Sequence, residues 1–277
     1  MATITASMVM KLRENSGLPM MDCKRALTET DGDAEAAMEL LRKSGAAAAE
    51  KKAGRETTDG RLVTYLDKEK QVAALVEIQC ETAPTSNNPV FRELVEKVAK
   101  HVALTGDANL DTLENEAFVD DPNKTIKDLV HDTVNVIREN MKISRVIRVN
   151  GRIGSYVHHD GRVGVLLTVE GDGGDDALLT DVCMHVAAMQ PAAIHREDVP
   201  ADLVEKEKAF AKEQILAAGK PEHLIEKILT GKMNRWFSER VLVEQAFVKD
   251  DKMTVGDLVK SAGLKIISAS RLKVGEA

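Results

Sequence analysis

Aromatic residues are scarce in this chain: Phe, Tyr and Trp make up 3% of its 277 residues. Few side chains are therefore available to stack on the bases of a nucleic acid. The net charge is −7 and the isoelectric point is about 5.6, so no overall positive field attracts nucleic acid or an anionic membrane. We therefore expect neither direct nucleic-acid binding nor a membrane partner.

Long apolar runs are also missing, since none approaches the roughly 20 residues of a membrane-spanning helix. The opening run MATITASMVMKLREN lacks the apolar core of a secretion signal and carries an early acidic residue, Glu14. The three cysteines (Cys23, Cys80 and Cys183) lie far apart and form no CxxC motif. This spacing is typical of buried thiols in a reducing compartment, so we expect a cytoplasmic protein.

Motifs for catalysis and for cofactor binding are the third absence. The chain contains no GxxxxGK[ST] phosphate loop, no HExxH and no GxSxG. His158-His159-Asp160 has metal-ligating residue types, but adjacent residues at a turn rarely converge on one ion. An exposed turn or a partner contact is the better interpretation. We therefore expect no enzyme, no catalytic residue, no metal site and no cofactor.

What the chain does contain begins with three short predicted helices in residues 1–45. Their apolar residues recur at helical spacing, and each helix has capping residues at its ends. The predicted caps and stops are Thr5 or Ser7, Gly17, Pro19, Asp22, Asp33 and Gly45. Residues 46–59 have no apolar period and are predicted to form a linker that is helical only at its start.

An internal repeat follows the linker. GRLVTYLDKEKQVAALVEIQ begins at Gly60 and GRIGSYVHHDGRVGVLLTVE begins at Gly151, and each predicts two strands joined by a tight turn. A helix follows in each, with His101 matching His185, and we expect these histidines to pack or to form hydrogen bonds. The unit therefore occurs twice, as a first copy (60–150) and a second copy (151–277).

The end of each copy repeats as well. Thr125 and Thr254 each cap a further helix, and a strand follows that helix in both copies. Antiparallel sheets backed by helices are the simplest packing of these elements. The sequence therefore predicts an α+β fold with a duplicated core.

The copies differ in length at two places. The first copy has a longer polar segment, CETAPTSNNPVF at 80–91, which we expect to be an open loop with almost nothing to bury. The second copy has an insertion at about 198–240 with two apolar stripes, which predicts an antiparallel helical hairpin of the coiled-coil type. The stripe residues are Val204, Ala211, Ile215, Ala218, Ile225, Ile228, Leu229 and Trp236.

Met20 and Met21 follow Gly17-Leu18-Pro19, in what we predict to be a loop before the cap Asp22. Methionine suits surfaces that must adapt to a partner, although it also fills cores, and the residues alone leave both roles open. With Arg13 nearby, the pair would combine apolar contacts with a positive charge, as binding hot spots do.

The motifs closely resemble those of the elongation factor Ts family. ITASMVMKLREN, MMDCKRAL and LRKSG resemble its N-terminal domain, while GSYVHHDGRVGVLLTV, MHVAAMQP and GKPEHLIEKILTGKM resemble its core and helical hairpin. The resemblance covers essentially the whole chain. It implies a guanine-nucleotide exchange factor for elongation factor Tu, the GTPase that delivers aminoacyl-tRNA. It also implies an N-terminal domain like ubiquitin-associated (UBA) domains and a coiled-coil insert.

The resemblance also implies contact residues. The family's N-terminal Arg and paired Met side chains, which touch a helix of the GTPase domain, match Arg13, Met20 and Met21. A family histidine on the second hairpin, placed against the nucleotide site, matches either His158 or His159.

A family loop that displaces magnesium matches Thr82, Ala83, Pro84 and Thr85. This chain departs from the family there, because the family's Cys-Gln-Thr-Asp-Phe is Cys80-Glu81-Thr82-Ala83-Pro84 here. The carboxylate and the aromatic ring of the Asp-Phe pair are both lost. Three explanations remain open: Pro84 acts by shape alone, Glu81 and its neighbours act differently, or the histidine hairpin takes a larger part.

Two alternatives follow from the same features. The chain could be a non-catalytic adaptor or scaffold that binds through a UBA-like helical domain. The helical hairpin could contact elongation factor Tu or pair with a second copy of this chain, which would give a homodimer of the heterodimer.

Overall fold

The computed structural model describes residues 3–106, 108–219 and 221–276. Three helices come first, α1 (Ala6–Ser16), α2 (Met20–Glu29) and α3 (Ala34–Glu50), which confirms the three predicted helices. Their inward side chains form one apolar cluster. Its buried members are Val9, Leu12, Leu18, Cys23, Ala26, Leu27, Ala37 and Leu41.

Local capping interactions explain most ends of these helices. The Thr5 side chain accepts a hydrogen bond from the Met8 amide at 3.3 Å, and Asp33 accepts from the first turn of α3. Gly17 ends α1 with a left-handed backbone, φ +69°, which glycine adopts without steric cost. These predicted caps are confirmed.

Two predicted helix ends are wrong. Helix α2 begins at Met20 and follows Pro19, so Asp22 lies in its first turn and is not the cap. Helix α3 does not stop at Gly45 but continues to Glu50 through four alanines, which are strong helix formers. Gly45 serves close packing, because a Cβ there would lie 2.6 Å from Nδ2 of Asn135.

The repeated unit is clear in the order of the elements. The first copy contains β1 (Asp59–Asp67), β2 (Val72–Cys80), α4 (Ala83–Ser86), α5 (Pro89–Thr105), α6 (Leu110–Leu113), β3 (Ala117–Phe118), β4 (Asp121–Thr125), α7 (Ile126–Ile137) and β5 (Met141–Asn150). The second copy contains β6 (Arg152–Val157), β7 (Val163–Glu170), α8 (Asp176–Met189), α9 (Ala201–Ala217), α10 (Glu222–Arg240), β8 (Ala246–Phe247), β9 (Asp250–Thr254), α11 (Val255–Ser261) and β10 (Lys265–Lys273). Short 3-10 turns lie at Arg196–Asp198 and Leu242–Glu244.

Each copy builds a three-stranded antiparallel sheet with the same order, β1-β2-β5 in the first and β6-β7-β10 in the second. The strand register is also the same. Tyr65 is opposite Ala74 in the first sheet, and Tyr156 is opposite Val165 in the second. The predicted mixed α and β architecture with small antiparallel sheets is confirmed.

The two sheets pack against each other, and the helices cover their outer faces, α5 on the first and α8 on the second. The central strand β2 is buried on both faces, which explains its continuous apolar run VAALV. The residues buried between the sheets are Leu62, Ala73, Leu75, Ile153, Leu166, Leu272 and Val274. Gly164 permits this close approach, since a Cβ there would lie 2.6 Å from Cδ1 of Leu75.

A buried histidine joins helix and strands in each copy. His101 of α5 accepts a hydrogen bond from the Val119 amide at 3.3 Å, and its Nε2 lies 3.0 Å from Oε2 of Glu116. His185 of α8 accepts from the Val248 amide at 3.2 Å, and its Nε2 lies 3.0 Å from Oε1 of Gln245. Both rings are fully buried, so the prediction of packing and hydrogen-bonding histidines is confirmed.

The insertion in the second copy forms two packed helices, α9 and α10, joined by a short connection that makes them antiparallel. The predicted stripes meet at this contact, except that Ala218 lies just past the end of α9 and is exposed. The buried residues of the pair include Ala211, Ile215, Ile225, Leu229, Met233 and Trp236. Throughout the described part of the chain, every helix is too short or too polar to cross a bilayer.

Candidate partner-binding site

The first two helices of the bundle carry exposed methionines. Met20 and Met21, which are 46% and 71% exposed, form the first turn of α2 and do not lie in a loop as predicted. Arg13 is exposed in the last turn of α1, and a three-residue connection separates the two helices. Met10, which no motif in the sequence singled out, is 53% exposed and lies one turn before Arg13. We call these four side chains the methionine patch.

The methionine patch lies on a fixed support. Leu18, in the connection between α1 and α2, is buried, and its amide donates to the Ser16 hydroxyl at 3.3 Å. Cys23, one turn after Met20, is fully buried on the inner face of α2. The apolar surface of Met20 and Met21 is therefore exposed without being mobile in a loop, as expected for a preorganised contact surface.

The bundle is also docked onto the first copy. Helix α3 packs on α7, where Gly45 contacts Asn135, and Val136 joins the apolar cluster of the bundle. Arg138, at the end of α7, donates to the Asp22 carboxylate at 2.7 Å. Asp22 shares its helical turn with Met20, so this ion pair fixes the methionine patch relative to the core.

Residues 80–91 are not an open loop, contrary to expectation. Ala83–Ser86 form α4, a single helical turn in which Thr85 and Ser86 are buried. Thr82 precedes this turn, and both its amide and its hydroxyl donate to the Glu139 carboxylate, at 3.0 and 2.7 Å. Thr82, Ala83 and Pro84 are exposed, whereas the Thr85 side chain faces inward. The outward part of the predicted loop is therefore Thr82–Pro84.

Glu81 is occupied by contacts within the chain. Its Oε1 accepts a hydrogen bond from the Asn140 amide at 2.6 Å and lies 3.4 Å from the Arg55 guanidinium. The Asn140 side chain in turn donates to the Arg55 carbonyl at 2.7 Å. Because this network uses the carboxylate, Glu81 is poorly placed to replace the aspartate that the loop lacks.

The turn between β6 and β7 presents the two predicted histidines, and we call residues 158–161 the histidine hairpin. Nδ1 of His158 lies 2.9 Å from Oδ1 of Asp160, and the rings of His158 and His159 are 4.1 Å apart. Burial alone would raise the pKa of Asp160, but hydrogen bonds from Arg162 and His158 and the nearby histidines lower it overall. His158 is thus held by Asp160, while His159 is exposed.

A surface groove of about 550 Å³ borders the histidine hairpin. Its lining combines apolar side chains, such as Met184 and the half-exposed Val248, with Arg271 and Lys273. This groove was not predicted from the sequence. A signal existed, because Ala246-Phe247-Val248 repeats Ala117-Phe118-Val119 of the first copy.

The candidate residues therefore fall into two groups. The α4 turn and the histidine hairpin are neighbours, since one Arg61 nitrogen lies 3.4 Å from the Ser86 carbonyl and 3.5 Å from the Asp160 carbonyl. The methionine patch belongs to the bundle and forms a separate surface.

Reactive groups are not prominent at either surface. All three cysteines are buried, and burial raises the pKa of the Cys80 and Cys183 thiols to about 12. Within residues 3–106, 108–219 and 221–276, no cluster of three or more His, Cys, Asp or Glu side chains is arranged to hold a metal ion.

Comparison with known proteins agrees with the sequence motifs. The family model described as elongation factor TS matches residues 81–276. Elongation factor Ts of Hydrogenovibrio crunogenus is 42% identical over 273 residues, covering 99% of this chain and 92% of that relative. Elongation factor Ts of Lactiplantibacillus plantarum is 40% identical over 278 residues, covering 100% and 94%. That of Aquifex aeolicus is 39% identical over 269 residues, covering 93% and 92%.

The fold is that of a protein with a repeated α+β core that carries two groups of exposed candidate residues. The chain belongs to the elongation factor Ts family, as its motifs predicted.

Proposed function

We propose that this protein is a guanine-nucleotide exchange factor for elongation factor Tu. It binds the GDP-loaded GTPase and promotes GDP release, so that GTP can replace it during translation elongation. The observation that carries the proposal is the match to a protein named elongation factor Ts over 99% of the chain. The exposed methionine patch supports it, because an exchange factor needs surfaces for a protein partner.

The physical mechanism requires no chemical step by this chain. A nucleotide bound at about nanomolar affinity is held by about 12 kcal/mol and leaves slowly unless its site is distorted. An exchange factor binds the nucleotide-free partner more tightly than the loaded one. By linkage, it then weakens nucleotide binding by the same factor by which the nucleotide weakens its own binding.

We assign separate roles to the two surfaces. The methionine patch, on a bundle of the UBA type, contacts a helix of the GTPase domain. Thr82–Pro84 and the histidine hairpin act together on the magnesium and phosphate site of the partner. Pro84 is exposed where the family has a phenylalanine, so it acts by shape, and one of His158 and His159 supplies the polar contact.

The α9–α10 pair is proposed to be a coiled-coil arm. It contacts the partner or a second copy of this chain, and the second arrangement would join two heterodimers. Exposed apolar side chains on both helices, among them Phe210 and Leu224, are available for either contact.

We further propose that the chain is divided into a bundle (1–45), a linker (46–59), a first core unit (60–150) and a second core unit (151–277). The arm occupies about 198–240 of the second core unit, and α3 extends into the first residues of the linker. The proposed location is the cytoplasm, with elongation factor Tu as partner and neither nucleic acid nor membrane as a direct one.

Stopped-flow release of a fluorescent GDP analogue from purified elongation factor Tu tests the proposal. Addition of this protein should accelerate release by about tenfold or more, within the usual range of coupling between sites. Binding with no change in the release rate would favour the adaptor function. Separate His158→Ala and His159→Ala variants in the same assay identify which histidine contributes.

A further inference from the structure

Arg61 occupies an unusual position between the two copies. It lies in β1, next to Leu62, whose side chain is buried between the sheets, and its own side chain is directed to the opposite face of the strand. Only 8% of Arg61 is exposed.

A single nitrogen of Arg61 meets groups from both copies. Nη1 lies 3.4 Å from the Ser86 carbonyl, 3.3 Å from Oδ1 of Asn87 and 3.5 Å from the Asp160 carbonyl. Ser86 and Asn87 belong to the α4 turn and its end, whereas Asp160 belongs to the histidine hairpin. One side chain therefore contacts both elements that we assign to the nucleotide site of the partner.

The backbone next to Arg61 is fitted to the histidine hairpin as well. The Leu62 amide donates to the Gly161 carbonyl at 2.8 Å. Gly161 has φ +73°, and a Cβ at this position would lie 2.7 Å from Cζ of Arg61. A residue with a side chain at 161 would therefore displace the guanidinium, so the hairpin and Arg61 require each other's geometry.

Electrostatics strengthens this dependence. Burial lowers the pKa of Arg61, and Arg92 adds to this effect, but an arginine keeps its charge under all ordinary conditions. Among the described residues, no carboxylate lies within ion-pair distance of the guanidinium. The carboxylates of Asp160 and Glu96 favour the charge from a longer distance. The oxygens of Ser86, Asn87 and Asp160 lie at hydrogen-bond distance, and movement of either turn removes at least one of them.

We infer that Arg61 is a positioning residue that fixes the α4 turn to the histidine hairpin, so that Pro84 and the hairpin histidines contact the partner as one unit. The inference rests on the proposed exchange function for its consequence but on the geometry alone for the link itself. Arg61 does not contact the partner, because it is buried behind both turns.

The first test uses Arg61→Met, which keeps the apolar stem, and Arg61→Lys, which restores a charged donor. With Arg61→Met, the GDP release rate at saturating exchange factor should fall by about fivefold or more, at the lower end of usual coupling between sites. The concentration that gives half-maximal release should change little, because the methionine patch is intact. Arg61→Lys should recover part of the loss, since it restores a charge without the planar fork.

Amide hydrogen exchange of the free protein gives a readout that does not depend on activity. Arg61→Met should raise the rate of amide hydrogen exchange in residues 82–88 and 157–163 together. The rate in α9 and α10 should stay the same. Faster amide hydrogen exchange in only one of the two segments would overturn the inference. An unchanged GDP release rate together with unchanged amide hydrogen exchange would overturn it as well. If the wild-type protein fails to accelerate GDP release, the proposed function fails, while hydrogen exchange still decides the role of Arg61.

A milder pair of variants covers the case in which Arg61→Met does not fold. Asn87 is exposed, and both Asn87→Ala and Asn87→Asp lose the hydrogen bond from its Nδ2 to the Ala83 carbonyl. Only Asn87→Asp keeps an oxygen for Arg61. Asn87→Ala should lower saturating release by about threefold, at the lower end of the net contribution of one hydrogen bond, and Asn87→Asp should not. Equal saturating GDP release rates for the two variants would contradict the proposed link between Arg61 and the α4 turn.

Discussion

The two copies of the repeated unit have the same sheet order, the same covering helix and the same buried histidine, yet they carry different surfaces. The first copy holds the bundle and has the extra α4 turn. The second copy has a plain strand-to-helix connection there and inserts the α9–α10 pair further on. The shared frame therefore supplies the packed core, whereas the additions supply the exposed candidate surfaces.

Each copy has one buried histidine with its hydrogen-bond partners, which we call the histidine joint. The two joints occupy the same place in the copies but differ in their partners. His101 meets the carboxylate of Glu116, whose side chain is 23% exposed. His185 meets the amide of Gln245, which is 1% exposed and also donates to the Glu239 carbonyl at 2.9 Å, near the end of α10. The second joint therefore also holds the base of the inserted helices.

The largest expected effect is a difference in the free energy of unfolding between variants of the two joints. His185→Ala should lower the free energy of unfolding by about 3 kcal/mol, because it opens a cavity and leaves both Oε1 of Gln245 and the Val248 amide without a buried partner. His101→Ala should cost less, since Glu116 can turn towards water. Urea unfolding of both variants checks the order, and an equal or reversed order would show that the two joints are equivalent.

The next effect concerns the bundle, which only the first copy carries. In the double variant Met20→Asp and Met21→Asp, the concentration of this protein that gives half-maximal GDP release should rise by about 30-fold. This is the effect of losing about 2 kcal/mol at a binding hot spot. Aspartate is favourable in the first turn of a helix, so the helical content should be unchanged by circular dichroism.

Leu110→Asp is the matched control for the methionine variant. Leu110 is 39% exposed and is also the first residue of its helix, but it belongs to the first copy and not to the bundle. Unaltered exchange in the double methionine variant, or the same loss in Leu110→Asp, would show that the methionine patch is not the contact surface.

A smaller effect compares a glycine of α3, where the bundle is docked, with a glycine inside the inserted helix α10. Gly45→Ala should destabilise the protein by about 1 kcal/mol or more, because the new Cβ would lie 2.6 Å from Nδ2 and 3.3 Å from Cβ of Asn135. Gly231→Ala in α10 should stabilise it by about 1 kcal/mol, since nothing lies within 4 Å and alanine favours helix. Thermal unfolding gives both signs, and stabilisation by Gly45→Ala would mean that α3 is not tightly docked on α7.

The smallest effect is the response of the second joint to acid. Burial lowers the pKa of His185 below its usual 6.5, and the hydrogen bond to Gln245 opposes this only in part. The unfolded chain then binds a proton more readily than the folded one, so stability should decrease as the pH falls from about 6.5. Urea unfolding between about pH 7.5 and pH 5.5 should show a weaker dependence for His185→Gln than for the wild type. An identical dependence would mean that His185 does not titrate differently on folding.

Local interactions were predictable from the sequence. Thr125, Thr254 and Asp33 cap their helices as expected, because a capping side chain acts within three residues of itself. Gly45 was taken for a helix stop because its role depends on Asn135, in another element. The α4 turn was missed for the same reason, since its burial depends on contacts that no local pattern encodes.

The candidate residues divide in the same way, into those that the sequence singles out and those whose role depends on distant contacts. Met20, Met21, His158 and His159 stood out by residue type and by resemblance, and the structure finds them at the surface, with His158 half-buried. Arg61 carried no such signal, because its contacts reach residues that are 25 and 99 positions away. The groove beside the histidine hairpin also escaped, although the repeated Ala-Phe-Val run pointed to its edge.

The most direct measurement is the rate of GDP loss from elongation factor Tu with increasing amounts of this protein. The account predicts a rate that rises and then saturates at a value about tenfold or more above the spontaneous rate. A rate that stays at the spontaneous value while a stable complex forms would contradict it.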